Sequence, residues 1–165
     1  MYKRQGKCLF NYVLVRASGA RRVFEAGTEN GLSSYAICLA LARNANEPIT
    51  SPPEGSSVPY RLITVDLFND RGLYLIGNEE GLVERLVGDS VAHLMSVKEP
   101  LDLFIHDTVN EGGHTRAQLS AAIKVLAPGG IIHTSWFNEV FTRCCEEHGL
   151  AYLPVNETEV FTVER

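Results

Sequence analysis

The chain lacks the features that would take it out of the ordinary globular class. No run approaches the roughly 20 consecutive apolar residues that a membrane-spanning helix needs, and no internal repeat is visible in its 165 residues. Clustered positive charge is missing too. Apart from Arg21 and Arg22 the arginines are scattered, no aromatic ladder lies among them, and the net charge is −5. A phosphate-tracking nucleic-acid binder would show the opposite, a basic footprint. Only four cysteines occur, Cys8, Cys38, Cys144 and Cys145, without a CxxC pair or metal-finger spacing. Reduced, buried thiols in a cytoplasmic protein are expected. Neither nucleic acid nor a membrane is an expected partner.

What is present has the balance of a single packed domain, with 45% hydrophobic and 21% charged residues. The first residues, "MYKRQGKCLFNYVLVRASGA", begin with basic side chains and an apolar stretch, as a signal peptide would. Asn11 interrupts that stretch and Arg16 closes it early, so a leading amphipathic helix within 1–20 is the expectation. Apolar runs then recur at 22–27, 61–66, 85–90, 101–107 and 130–135, with helix-like segments at 31–45, 72–84, 91–97, 114–127 and 136–148. Continuous apolar strands alternating with helices predict an α/β fold with a mostly parallel sheet covered on both faces. In "LAPGG", Pro128 and the two glycines should end a helix and turn the chain into the next strand. The tail differs, because "LAYLPV" and "EVFTVER" leave no room for a helix between them and predict an antiparallel hairpin. Residues 46–59 hold four of the seven prolines and read as a mobile surface loop.

Ligands of a doubly wound sheet bind beyond the carboxyl ends of its strands, where strand order reverses. The predicted strands end in Glu25-Ala26-Gly27, Asp66, Asp89-Ser90, His106-Asp107 and His133-Thr134-Ser135, so polar residues gather at that edge. Gly27 and Gly31 permit a tight turn and a close backbone approach. The strict GxGxxG fingerprint is absent, since Glu29 stands where a pyrophosphate binder wants glycine and its carboxylate would repel phosphate. A ligand with an amino group and a sulfonium meets no such conflict. Asp66 would accept hydrogen bonds from both ribose hydroxyls, and Asp89 with Ser90 would meet an adenine edge. These are the requirements of S-adenosylmethionine.

From about residue 20 onward the chain resembles the class I S-adenosylmethionine-dependent methyltransferases. "EAGTENGLSSYAI" is similar to the ExGTxxGxS first motif of small-molecule O-methyltransferases, the catechol O-methyltransferase-like group and methyltransferase family 24. "LITVDLF", "LVGDS" and "DLFIHDTVNEGGHTRAQLSAAIKVLAPGGIIHTSW" resemble the following motifs in order. The resemblance implies one domain over 1–165 with a Rossmann-like, doubly wound, mostly parallel seven-stranded sheet ending in the antiparallel hairpin. It further implies that Glu25, Gly27, Thr28, Glu29, Asn30, Gly31 and Ser33 surround the methionine part of the cofactor. Asp66 and Leu67 would take the ribose and adenine, Asp89 and Ser90 the adenine, while His106 and Asp107 would lie beneath the sulfonium. Where metal-using relatives carry further acids after the fifth strand, Ser135 and Trp136 stand here, so no metal is expected.

Methyl transfer to a small-molecule acceptor, by O-methylation, then needs an aligned nucleophile and a base. Among five histidines, His106, His114 and His133 fall at the active edge, whereas His93 and His148 sit in helix patterns and read as surface residues. A pair of His114 and Asp107 is the expected base, with His114 swung over the pocket by a flexible "NEGG" segment and His133 next in line. His106 is expected to pack on the cofactor. Trp136 and Phe137 would wall the substrate pocket or pack under a helix. With about twenty residues before the first strand, the pocket should be open or completed by a second copy of the chain. The rival readings are a cofactor-binding subunit without chemistry and, more remotely, an NAD-dependent oxidoreductase.

Overall fold

A computed structural model describes residues 2–49, 59–75, 81–109, 111–135, 138–155 and 160–163. Trp136, Phe137, Asn110 and most of the 46–59 segment lie outside these described residues. In chain order the elements are α1 (Tyr2–Ser18), β1 (Arg22–Ala26), α2 (Leu32–Asn46), β2 (Arg61–Asp66), β3 (Val83–Val87) and α3 (Ser90–Ser96). There follow β4 (Leu101–His106), α4 (Gly112–Val125), β5 (Leu126–Thr134), α5 (Glu139–His148), β6 (Ala151–Pro154) and β7 (Val160–Val163).

The sheet order is β3-β2-β1-β4-β5-β7-β6. Strands β3, β2, β1, β4 and β5 pair in parallel, which is the Rossmann-like arrangement. β7 pairs antiparallel with β5 and with β6. The reversal of strand order falls between β1, whose neighbours are β2 and β4, and the crossovers leaving on either side. Period-two alternation sends consecutive strand residues to opposite faces. Val23, Leu62, Leu103 and Ile105 pack with Ile37 and Leu41 of α2 and Val15 of α1. Phe24, Val65, Phe104 and Ile132 pack with Leu94, Leu119 and Phe141 from α3, α4 and α5. Both faces are therefore dry, as a parallel sheet requires. No helix among the described residues is long and apolar enough to cross a membrane.

Two expectations about the elements are corrected. Of the helix expected at 72–84, the described residues show only a 3₁₀ turn at Leu73–Leu75, and β3 already begins at Val83. Residues 76–80 lie outside the described ones. Gly72 and Gly81 adopt left-handed φ values of 81° and 85°, which a right-handed helix cannot contain. Pairing of Leu62 with Val83 then claims the start of β3 for the sheet. The second correction concerns β5, which starts at Leu126 rather than at 130. Helix α4 does stop at Val125, but residues 127–130 bulge within the strand. Leu101 pairs with Leu126, and Leu103 already with Ile131.

The tightest point of the fold is the end of β1. Gly27 N–H donates to the Val65 carbonyl at 2.8 Å, and Asp107 N–H donates to the Ala26 carbonyl at 2.9 Å. With φ at +100°, a Cβ on Gly27 would lie inside van der Waals contact with the Asp107 carbonyl oxygen and 2.8 Å from its carbonyl carbon. Strain and clash act together there, against backbone that cannot swing away. Gly27→Ala should therefore cost about 3 kcal/mol or more, in the range of the largest single-residue effects. Chemical denaturation measures it, and a variant as stable as the parent would disprove the close approach of β1 and β4.

Candidate functional site

The carboxyl edge of the sheet surrounds one cavity of about 440 Å³. Of the residues singled out in the sequence, Gly27, Glu29, Asp66, Leu67, Ser90, Asp107 and His114 line it. The others named there that lie among the described residues do not. The cavity opens between the β1–α2 turn, the end of β2, and the segment that follows β4.

Asp66 is held in place by the turn it faces. Its Oδ2 accepts from the backbone N–H of Glu29 at 2.9 Å, and its Oδ1 from that of Phe68 at 3.2 Å. A carboxylate has about four lone-pair directions, so acceptor capacity remains toward the cavity. Glu29 is the one non-glycine residue with a positive φ among those described, at 46°. Its carbonyl accepts from Gly72 N–H at 2.7 Å. That turn is thus tied to β2 and to the 3₁₀ turn, which holds a conformation costing about 1–2 kcal/mol outside glycine.

Glu25, Thr28 and Ser33, expected to face a ligand, are turned away from the cavity. Glu25 is fully buried and accepts from Ser33 Oγ at 2.6 Å, from Thr64 Oγ1 at 2.8 Å and from Ser34 Oγ. Thr28 shares a 2.7 Å hydroxyl contact with Thr64. The cause is the alternation of β1, which points Glu25 onto the α2 side beside Thr64 of β2. Burial pushes the Glu25 carboxyl up to about 7, against the lowering effect of its three hydroxyl donors. Thr64 and Ser34, which complete this knot, carry no motif that would have flagged them. Asn30 and Gly31 shape the turn without lining the cavity; the Asn30 carbonyl accepts from Tyr74 N–H at 3.0 Å. Asp89 is exposed and caps α3, its Oδ1 accepting from Val91 N–H at 3.1 Å, so it too points elsewhere.

The histidines separate sharply. His106 and His133 are fully buried, and no ring nitrogen of either has a hydrogen-bond partner among the described residues. Burial lowers His106 to about 4, aided by the nearby His114 and Lys7, and His133 to about 3, aided by Lys7. The ring of His133 packs tilted against Phe10 of α1, with ring centroids 4.8 Å apart. His133 is thereby corrected as a candidate base: it is sealed under α1. His106 is likewise sealed and does not line the cavity. His114 does line it, but on a different basis from the one expected. Gly112 and Gly113 form the first turn of α4 rather than a swinging link, and His114 Nε2 lies 3.0 Å from Gln118 Nε2. Fully buried Gln118 also donates to Ser90 Oγ and accepts from Thr108 Oγ1 at 3.2 Å. Gln118 was not foreseen, since nothing marks a helix glutamine as buried.

Asp107 has a partner that the sequence did not suggest. Lys7 of α1 forms an ion pair with its Oδ1, and both line the cavity. Burial raises the Asp107 carboxyl while Lys7 pulls it down, with burial the larger effect. Among the described residues no group of three or more His, Cys, Asp and Glu side chains is placed to hold a metal ion.

The model of a methyltransferase-domain family, numbered 24, matches residues 24–134. The fold is similar to an O-methyltransferase from Bacillus cereus in complex with S-adenosylhomocysteine, with a TM-score of 0.66, 21% identity, and coverage of 98% of this chain and 81% of that one. An O-methyltransferase of tomaymycin synthesis from Streptomyces achromogenes, in complex with S-adenosylmethionine, gives 0.65, 20% identity, 98% and 79%. The N-methyltransferase NodS from Bradyrhizobium japonicum gives 0.65, 14%, 99% and 94%. No curated protein matches the chain.

The Glu25 knot makes a prediction about pH. Its folded value lies above the ordinary 4.5, so the native state keeps the proton longer than the unfolded chain. The associated stability is present in acid and is lost as pH rises from about 4.5 through about 7, by about 3 kcal/mol in all. His106 and His133 act in the opposite sense, their contribution being present above about 6.5 and lost as pH falls toward 4 and 3. Glu25→Gln isolates the first effect: relative to the variant, the wild type should gain stability between pH 7 and 5. Parallel stability curves for the two proteins would show that Glu25 is charged throughout.

Proposed function

Because the chain belongs to the family 24 methyltransferase domains, with the class I S-adenosylmethionine-dependent fold, we propose that it transfers a methyl group from S-adenosylmethionine to the oxygen of a small molecule. The observation that carries this reading is Asp66, set at the β1/β2 side of the strand-order reversal with its carboxylate open to the cavity. The donor set fits the cofactor. Asp66 would accept from the ribose hydroxyls, and Gly27 would let the backbone approach the methionine part. Ser90 would meet the adenine edge. Leu67 and Phe68, 67% and 58% exposed on the cavity wall, present apolar surface that a purine would cover. The terminal β6–β7 pair supports the same reading over a nicotinamide-binding one. We take residues 1–165 as one domain.

When bound, the cofactor supplies a methyl group activated by a positive sulfur. The chain has then to orient the acceptor and take its proton. Asp107, Thr108, Val109 and His114 form the cavity wall beyond β4, where the acceptor would lie. His114 is the base of this reading, because it alone of the three edge histidines reaches the cavity. Accepting from Gln118 occupies the one lone pair of its neutral ring, so His114 must exchange Gln118 for the acceptor hydroxyl. Helix α1 covers part of this side, which lessens the need for a second copy of the chain. The engaged state of His114 and Asp107 also favours a second reading, a cofactor-binding subunit without turnover.

Two measurements test the assignment. S-adenosylhomocysteine should raise the melting temperature, by the equivalent of about 2.7 kcal/mol at a hundredfold excess over its Kd, while NAD leaves it unchanged. Asp66→Ala should remove most of that shift; a full shift in the variant would refute the ribose role. For the base, His114→Ala should lower kcat by about 10²–10⁴-fold with S-adenosylhomocysteine affinity retained. Turnover at the wild-type rate would place the base elsewhere, and no turnover by the wild type on any hydroxylated acceptor would favour the second reading.

A further inference from the structure

We infer that Lys7 of α1 is an acceptor-binding residue: its ammonium, set against Asp107 at the cavity wall, holds the acceptor oxygen as an anion. The inference rests on the methyltransferase reading above and adds the chemical form of the substrate.

The charge pattern of the cavity leads to it. Its lining holds three carboxylates, of Glu29, Asp66 and Asp107, and two cations, Lys7 and Arg71. Arg71 belongs to the ribose end, where its guanidinium lies 5.2 Å from the Phe68 ring centroid and 3.7 Å from Asp70. Lys7 is the cation at the β4 end. The two histidines of that edge do not substitute for it, because both are buried as neutral rings. An acceptor oxygen beyond β4 therefore meets the Lys7 ammonium as the one protein cation at that end among the described residues, its charge partly offset by the Asp107 carboxylate with which it pairs.

Lys7 is also held for the task. Its helix is pinned through its second half: Arg16 donates to Asn44 Oδ1 at 2.6 Å, and Asn44 donates to the Val15 and Ala20 carbonyls at 3.0 and 3.1 Å. In the first half, Phe10 sits on His133 and Asn11 is fully buried. The Lys7 side chain is 22% exposed and that of Asp107 17%. An ammonium carries three donors, so pairing with Asp107 leaves Lys7, on the cavity lining, with donors for a further acceptor. A preoriented charge in a partly dry site acts on a developing or resident anion without reorganisation at the moment of reaction.

The acceptor hydroxyl gives its proton to His114, and the resulting oxyanion rests on the Lys7 ammonium. A lone pair of that oxygen forms the new O–CH₃ bond as the S–CH₃ bond breaks, and the bonding pair stays on sulfur. Lys7 keeps its protons throughout. Its contribution is to lower the acidity threshold of the hydroxyl, so acceptors that ionise near neutrality are preferred over alkyl alcohols.

The experiment uses 4-nitrophenol as probe, since its phenolate is coloured and needs no turnover to be seen. The full chain is saturated with S-adenosylhomocysteine, and bound 4-nitrophenol is titrated by visible absorbance. A cation in contact should lower the probe's apparent pKa by about 1–3 units, a tenfold or greater enrichment of phenolate at fixed pH. Lys7→Met should abolish the shift and Lys7→Arg should retain most of it, with S-adenosylhomocysteine affinity by calorimetry unchanged in both. If Lys7→Met does not fold, the wild-type shift and its retention in Lys7→Arg still decide. Failure of the complex to bind 4-nitrophenol, an unshifted pKa, or a shift that Lys7→Met keeps overturns the inference. Failure of the wild type to bind S-adenosylhomocysteine overturns the methyltransferase reading instead.

Discussion

The absence of a side chain at Gly27 is the constraint on which the site depends. The Asp107 carbonyl fills the place where a Cβ would stand, so the ends of β1 and β4 meet at backbone contact. Their bonds continue the ladder one residue past the strands, from Gly27 to Val65 and from Asp107 to Ala26. Strand order reverses here, and the crossovers diverge to the two faces of the sheet. The cavity is the space that this divergence leaves. A side chain at Gly27 would both part the strands and move Asp107, which carries the Lys7 ion pair.

Behind that junction, the buried Glu25 carboxyl ties three elements together by hydroxyl donors alone. Hydroxyls suit a group near its midpoint at neutrality, because each can donate to the carboxylate or accept from the acid. An arginine partner would lock the charged form and, being large, would displace α2. The arrangement joins β1, β2 and α2 firmly enough to fix the Glu29 turn, whose amide in turn orients Asp66. Glu25 therefore acts on the cavity through the backbone, without facing it.

The strand-end rule made half of the site legible in the sequence and misled in the other half for one reason. A polar residue ending a strand can face the cavity, cap the next helix or turn into a layer, and the spacing of Asp66, Asp89 and His133 is equally consistent with each. Asp66 faces the cavity, Asp89 caps α3, and His133 lies under Phe10. Alternation separates Glu25 from its neighbours only once the face that carries α2 is known. The parallel five-strand core was legible because its runs are continuous and apolar. The helix expected at 72–84 loses both its ends, because Gly72 and Gly81 are left-handed and the sheet claims Val83. Lys7 was beyond reach, for its partner lies 100 residues away in the chain, and, although His114 stands only four residues from Gln118, the Gln118 contact with Ser90 spans 28 residues. No local pattern records such a contact.

The two ends of the cavity differ in charge in a way that bears on product release. Glu29, Asp66 and Asp107 make the lining anionic on balance, so a cationic sulfonium placed among them would be attracted from solution and held. Methyl transfer removes that positive charge and leaves a neutral thioether. It also removes the negative charge from the acceptor oxygen, and with it the attraction to Lys7. At an effective dielectric near 20, a unit-charge pair 4 Å apart interacts by about 4 kcal/mol, so losing either attraction weakens binding appreciably. Both products of the proposed reaction would then be held less tightly than the reactants by the same fixed charges, and Lys7 and Asp107 would be left to pair with each other, as they do in this structure.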